Sequence, residues 1–257
     1  MTELNRQAAA LRALHRPGDP LILPNAWDAG SARAVVAAGF PAVATSSGAV
    51  AEALGHADGE ALPVEEMFAA VGRIAAAVPV PVTADLERGY GLRPAELVER
   101  LLAAGAVGAN LEDSDPRSKR LSDVEEQADL LAGIRAAARQ AGVDLVLNAR
   151  VDVHLRAYGP AEERLAEAVR RARRYLAAGA DCVYPIMLAE PAQIRDLVAE
   201  LAAPVNVLAR PGAPGPAELA ALGVARVSYG SGLYAAARAR VADLLGAIRA
   251  GTDPFGS

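Results

Sequence analysis

Acidic and hydroxyl side chains fall at the ends of short apolar runs along this 257-residue chain. Asp85 closes the run Val80-Pro-Val-Thr-Ala, Glu87 follows two residues on, Glu112 comes directly after Ala109-Asn110-Leu111, and Asp58 ends Leu54-Gly-His-Ala. Gathered in space without cysteine or a histidine pair, four carboxylates make a hard, oxygen-only donor set that suits Mg²⁺ or Mn²⁺ holding several waters. Like charges packed that closely otherwise repel or take up protons, so a bound cation is their natural compensation. Taken singly, each acid also reads as the N-cap of a following helix; capping explains least for Asp85 and Glu112, both directly at apolar strand ends. Arg150 and Asp152 follow a fifth run in Leu147-Asn-Ala-Arg-Val-Asp. An arginine there grips a carboxylate or phosphonate bidentately, or pairs with a neighbouring acid. Ser46-Ser47-Gly48 offers hydroxyls and backbone N–H groups to an oxyanion, although Ser-Gly also marks ordinary turns.

The elements that must position these residues are repeated βα units. Strand candidates lie at 21–24, 42–45, 82–85, 108–111, 145–148, 182–185, 205–208 and 226–228, with amphipathic helical patterns between them. Helices end on Ala-Ala-Gly or Ala-Leu-Gly at Gly39, Gly105, Gly179 and Gly223, and Gly142 fits the same role; a left-handed glycine there turns the chain into the next strand. Eight strands close a barrel, and strand ends on one face of a barrel are where active sites sit. At about 150 residues per domain the length permits two domains or one barrel. No Pro/Gly/Ser-rich linker interrupts the alternation, so one α/β domain over 1–257 is expected: a single (β/α)8 TIM-type barrel with an N-terminal helix and a C-terminal helix. The dinucleotide Gly-x-Gly-x-x-Gly pattern and the P-loop are both missing.

Composition narrows the classes further. With 53% hydrophobic and 22% charged residues the chain can bury a large core, which excludes disorder. A net charge of −5 argues against nucleic acid and anionic membranes as partners. The lone Cys182 excludes an intramolecular disulfide and multi-cysteine metal sites, and as the start of a strand it reads as a small buried apolar residue. A polar N-terminus without a signal core makes a cytoplasmic location the expectation. His56 reads as a solvated loop histidine. All but one of the 26 basic residues are arginine; the exception is Lys119, in the loop after the Glu112 strand.

The constellation resembles the phosphoenolpyruvate mutase/isocitrate lyase superfamily. Thr45-Ser46-Ser47-Gly48 leading to Leu54-Gly55-x-x-Asp58 is similar to its substrate loop and first metal-shell acid. Asp85-x-Glu87-x-Gly89-Tyr90-Gly91 resembles its Asp-x-Asp-x-Gly-Tyr-Gly signature, Leu111-Glu112-Asp113 its Ile/Leu-Glu-Asp, and Ala149-Arg150-x-Asp152 its Ala-Arg-x-Asp/Glu. The match runs from Pro24 to about Ala237 and implies a (β/α)8 barrel that binds Mg²⁺. It further implies C–C or P–C chemistry beside a 2-oxo or enolate carboxylate, in a homo-oligomer, often a tetramer, that exchanges its last helix. Transferred residue by residue, Asp85 would ligate Mg²⁺ directly while Asp58, Glu87 and Glu112 hold its waters. Ser46, Ser47 and Gly48 would bind substrate carboxylate and oxo groups, Arg150 its acid end, with Tyr90 and Asn206 as further polar contacts.

The departures bear on the branch. Glu87 stands where Asp is more usual, and the loop Ser114-Asp-Pro-Arg-Ser-Lys-Arg120 contains neither the cysteine nor the histidine of the lyase branch, nor the pattern of the mutases and hydrolases. Ile186 replaces an acid or histidine after the sixth strand. The expected activity is an Mg²⁺-dependent lyase cleaving a C–C bond in a small 2-oxo- or 2-hydroxy-carboxylate, with Arg150, Lys119 and Glu112 as the catalytic candidates. The alternatives are oxaloacetate-type decarboxylation, phosphonopyruvate P–C cleavage or mutation, and a barrel that binds a 2-oxo acid without turnover. The amphipathic segment 229–249 fits either a helix exchanged between subunits or one closing its own barrel.

Overall fold

Proline decides where the first barrel strand breaks. In the computed structural model, which describes residues 2–255, Leu21–Leu23 (β1) pairs with the last strand while Asn25–Ala26 (β2) pairs with the second, Val43–Thr45 (β3). Pro24 between them has no N–H to give to a ladder. The expected strand 21–24 therefore ends one residue early and resumes at Asn25. The remaining strands are Val82–Asp85 (β4), Gly108–Leu111 (β5), Val146–Arg150 (β6), Cys182–Tyr184 (β7), Asn206–Leu208 (β8) and Arg226–Ser228 (β9). Positions 1, 256 and 257 of the expected domain lie outside the described residues.

All ladders are parallel, in two arcs: β1-β9-β8, and β2-β3-β4-β5-β6-β7. β1 and β2 are one strand in two pieces, and a single bridge between Val183 and Val205 joins β7 to β8, so the arcs close into the expected eight-stranded barrel. β6 runs two residues further than the pattern suggested, which makes Arg150 the last residue of the strand rather than a residue beyond it. Gly39, Gly105, Gly142, Gly179 and Gly223 all have positive φ, as the helix-ending pattern required.

Small side chains let the layers approach closely. A Cβ on Gly108 would sit 2.8 Å from Thr83 Oγ1 and 2.9 Å from Leu11 Cδ2, so helix α1 (Glu3–Ala13) reaches the barrel interior from below. Arg12 of that helix donates to the carbonyls of Asp144 and Leu145, each at 3.0 Å, and pairs with Asp181. These three residues precede β6 and β7, so α1 covers the end of the barrel opposite the acids.

After α1 come α2 (Ala29–Ala37), α3 (Ser47–Ala53) directly behind β3, α4 (Val64–Ala76), α5 (Pro94–Ala103), α6 (Val124–Gln140) behind the loop after β5, α7 (Arg164–Ala177) ahead of β7, α8 (Pro191–Leu201) and α9 (Pro216–Ala221). The last helix, α10 (Gly232–Ala250), begins three residues later than the sequence pattern indicated and buries none of its residues. It leaves Leu233, Val241, Leu245 and Ile248 exposed, sets Tyr234 edge-on against Trp27 with ring centroids 5.2 Å apart, and pairs Arg238 with Glu52 of α3. No helix among the described residues is long and apolar enough to cross a membrane.

Candidate active site

The strand ends on the face away from α1 open into a cavity of about 480 Å³. Asp85, the last residue of β4, stands at its centre because the strand register brings Thr45, Asn110 and the start of α3 against it. Its Oδ2 accepts from the backbone N–H and hydroxyl of Ser47 at 3.0 and 2.8 Å, and its Oδ1 from Asn110 Nδ2 at 2.8 Å. Asn148 of β6 in turn donates to Asn110 Oδ1 at 2.9 Å, and Thr45 Oγ1 accepts from the Asp85 backbone N–H at 2.9 Å. The carboxylate is thus aimed by the start of α3 and by β5, with Asn148 of β6 behind Asn110 and Thr45 of β3 on the backbone.

Glu87 is held in a turn of unusual backbone. Glu87, Tyr90 and the facing Glu60 all have left-handed φ, at 51, 59 and 58°, a conformation that costs non-glycine residues about 1–3 kcal/mol each and persists where surroundings over-determine it. The surroundings are visible. Glu60 gives its N–H to Glu87 Oε2 at 2.7 Å, and its own Oε1 accepts from the N–H groups of Arg88 and Tyr90 at 3.2 and 2.7 Å. Tyr90 donates its hydroxyl to Glu87 Oε1 at 3.1 Å. Glu60 therefore ties the loop that carries Asp58 to the turn that carries Glu87.

The acids feel one another. Burial, then the charges of Asp58 and Asp85, push Glu87 up to about 7. Glu112, whose backbone N–H donates to Glu87 O at 2.7 Å, is pushed well above the carboxylate range by burial, against the pull of Arg150 and with the help of Asp152 and Asp85. Arg150 forms a fork onto Asp152, Nε to Oδ1 at 2.6 Å and Nη2 to Oδ2 at 2.9 Å, and its third nitrogen pairs with Glu112. Burial opposes its charge, but Glu112 and Asp152 more than offset that and hold the guanidinium protonated. Asp152 is anchored from behind: Ser114 Oγ donates to it at 2.6 Å, and its backbone N–H donates to the buried Asp113 at 2.8 Å.

Ser46, Ser47, Gly48 and Asp58 line the cavity together with Asp85, Glu87, Glu112, Arg150 and Lys119. At Gly48 a Cβ would crowd Ser231 Oγ at 3.1 Å and the Asp58 carboxyl carbon at 3.2 Å, so glycine is what lets Asp58 approach. Ser46 Oγ lies 2.9 Å from Ser231 Oγ. Lys119, itself at φ 58°, is exposed at the tip of the 114–121 loop, with Nζ 2.6 Å from where a Gly59 Cβ would be. Two expected contacts do not line the cavity: Tyr90, which faces Glu87, and Asn206, which is fully buried and exchanges hydrogen bonds with Ser228 at 3.1 and 3.2 Å. Cys182 is buried, and burial pushes its thiol up to about 12. His56 is half-buried on its loop.

Sequence reasoning missed Glu60, Asn110, Asn148 and Arg226. Glu60 could have been found as the next acid after Asp58-Gly59, whereas Asn110 and Asn148 are polar residues inside strands with no local signal of what they face. Arg226, the first residue of β9, lines the cavity while only 3% exposed. A single arginine inside Ala225-Arg-Val-Ser gives no local signal of that burial.

This architecture is a barrel enzyme's: eight parallel strands with acids, serines and an ion-paired arginine at one mouth. The family model described as phosphoenolpyruvate phosphomutase matches residues 11–249, and the chain belongs to that family, within the phosphoenolpyruvate mutase/isocitrate lyase superfamily of lyases and mutases that act on small carboxylates. The solved structure of a candidate phosphonomutase from Burkholderia cenocepacia J2315 is similar, with a TM-score of 0.89 and 47% identity over 94% of this chain and 100% of that one. An oxaloacetate acetylhydrolase solved with the product oxalate matches with a TM-score of 0.84 and 26% identity, over 96% and 87% of the two chains. The 2-methylisocitrate lyase of Bacillus subtilis (strain 168) is 27% identical over 207 residues, 77% of this chain and 65% of that protein.

Proposed function

We propose that this chain is an Mg²⁺-dependent lyase that cleaves a C–C bond in a small 2-oxo- or 2-hydroxy-carboxylate, and that it works as a homo-oligomer. The observation that carries the reading is the convergence of Asp58, Asp85, Glu87 and Glu112 on one cavity sized for such a molecule, with an ion-paired Arg150 beside them.

The donor set fits a hard divalent ion. Two of the four carboxyls are displaced upward in part by the charges of the others, which is the repulsion a cation relieves. No group of three or more acidic, histidine or cysteine side chains among the described residues is arranged to hold an ion jointly. As the family resemblance implies, Asp85 would be the one direct ligand, with Asp58, Glu87 and Glu112 acting through water. When bound, such an ion supplies Lewis-acid stabilisation of the substrate oxygen on which charge develops.

The chain's own residues then divide the work. Ser46, Ser47 and the backbone at Gly48 receive the carboxylate and oxo oxygens. As the C–C bond breaks, its electron pair passes to the departing carboxylate fragment as an enolate; a group must take the proton of the substrate hydroxyl, which for a 2-oxo acid is that of the hydrate formed by adding water, and another must return one to carbon. Glu112, ion-paired with Arg150 and pushed upward by burial, is the carboxylate placed to take that proton. Arg150, fixed by Asp152, keeps positive charge beside it, and Lys119 of the 114–121 loop, which lines the cavity, adds a second charge at the mouth. Purified protein should release a 2-oxo acid from 2-hydroxy- or 2-oxo-di- and tricarboxylates only with Mg²⁺ or Mn²⁺ present, and Asp85→Ala should remove the activity. No 2-oxo acid from a metal-loaded sample across such a panel would end this reading.

A second reading, P–C chemistry on a phosphonopyruvate-like acid, is favoured by the 47% identity to the candidate phosphonomutase. The same assay separates the two: inorganic phosphate, or a rearranged phosphate ester, would appear in place of a C–C cleavage product.

A further inference from the structure

The floor of the cavity holds a positive charge that the chain does not balance. Arg226 is 3% exposed and lines the cavity, and its Nε and Nη1 have no hydrogen-bond partner among the described residues. Thr83 Oγ1, which also lines the cavity, is likewise unmet. Burial opposes the charge of Arg226 first; the Cys182 thiol, the Tyr184 phenol and Asp85 act in its favour, and the buried imidazole of His15 feels it as well. The thiol and the phenol are both pushed upward by burial, so they are neutral. Asp85 is already engaged by Ser47 and Asn110.

Arg150 is the opposite case. Two acids neutralise it before any ligand arrives, Asp152 through two hydrogen bonds and Glu112 through an ion pair. A buried guanidinium without partners is strongly unfavourable unless an anion completes it. Arg226 reaches the cavity wall, and Ile186 on that wall offers no side-chain donor.

We infer that Arg226 is a substrate-binding residue that receives an anionic oxygen group, carboxylate or phosphonate, of a substrate whose other end lies among Ser46, Ser47 and Gly48. The inference rests on the proposed small-acid site and narrows its substrates to dianions, because a monocarboxylate held at the serines leaves the guanidinium unmet.

Calorimetric titration of the Mg²⁺-loaded protein tests this directly. Succinate is the two-charge probe, butyrate the one-charge control, and 3-phosphonopropionate distinguishes phosphonate from carboxylate. Wild type should bind succinate or 3-phosphonopropionate at least about tenfold more tightly than butyrate. Arg226→Met should weaken the preferred dianion by about ten- to a hundredfold, as loss of a charge-assisted contact does, and leave butyrate unchanged, while Arg226→Lys should fall between. An unchanged dianion preference in Arg226→Met would overturn the inference, and so would wild type that binds neither dianion. Should Arg226→Met fail to fold, crystals of wild type soaked in the preferred dianion decide. An oxyanion against the Arg226 guanidinium supports the assignment, and anions bound only elsewhere overturn it. None of these measurements needs turnover, so a protein that binds dianions through Arg226 yet cleaves nothing would sink the lyase reading and leave this one standing.

Discussion

Asp85 meets a ligand already oriented, and the residues that orient it can be weakened one at a time. Asn110→Ala removes the donor to Oδ1 and leaves Asn148 without its acceptor. Loss of such a supporting partner costs about ten- to a hundredfold in activity or metal affinity, so kcat should fall by that factor with the far-ultraviolet spectrum unchanged. Glu60→Ala should act on metal affinity instead, because two backbone N–H groups of the Glu87 turn lose their acceptor; Mn²⁺ binding followed by paramagnetic resonance should weaken about tenfold. Lys119→Ala should lower turnover without moving the metal affinity, and unchanged turnover would remove Lys119 from the chemistry. Asp85 and Glu112 were legible because a carboxylate closing an apolar run has little to do there except cap a helix or serve a site. Asn110 and Arg226 were not: one polar residue within a strand looks the same whether it faces a cavity, a neighbour or solvent, and only closure of the barrel decides.

Among the elements, α1 does more than cover the barrel's lower end. His15, just past its end, donates its Nδ1–H to Leu11 O at 2.8 Å, and its sealed Nε2 has no partner among the described residues. Burial, then the charge of Arg226, lowers its pKa from 6.5 to about 4. The unfolded chain therefore binds this proton more readily than the folded one. Stability from this group is complete above about pH 6.5 and is lost as pH falls towards about 4, a loss of about 3 kcal/mol. Urea unfolding at pH 7 and pH 4.5 should show a larger drop for wild type than for His15→Asn, which keeps a donor near Leu11 O but does not titrate. Gly108→Ala tests the same region by packing: the new methyl meets Thr83 and Leu11 at about 3 Å, and overpacking of this kind costs about 1–3 kcal/mol, which thermal melting will read. The helix-ending glycines were legible from sequence, and the strands they introduce followed. The break at Pro24 was harder to see, because a proline after three apolar residues reads as the end of a strand until its two halves are found pairing with different partners.

For the whole molecule, the exposed apolar side chains of α10 call for a cover. Leu245 and Ile248 are 59 and 58% exposed, three residues apart on one helix face. A second copy of the chain is the occupant that the proposed homo-oligomer supplies. Light scattering after size exclusion should give a multiple of 26.4 kDa, and Leu245→Glu with Ile248→Glu should reduce it; a wild-type monomer would rule out the exchanged helix. The sequence pattern over 229–249 could not choose between exchange and self-closure, since both require the same apolar spacing. The wall of the barrel has its own consequence at this scale. On the β7–β8 side its two arcs are joined by the bridge where the Val183 N–H reaches Pro204 O at 3.1 Å, and the acids stand on one arc while Arg226 stands on the other. A molecule gripped by both is a clasp across the seam. Deuterium uptake at Val183 should be faster than at the amides of β4 and β5 in the free protein, and should slow when a dianion fills the cavity.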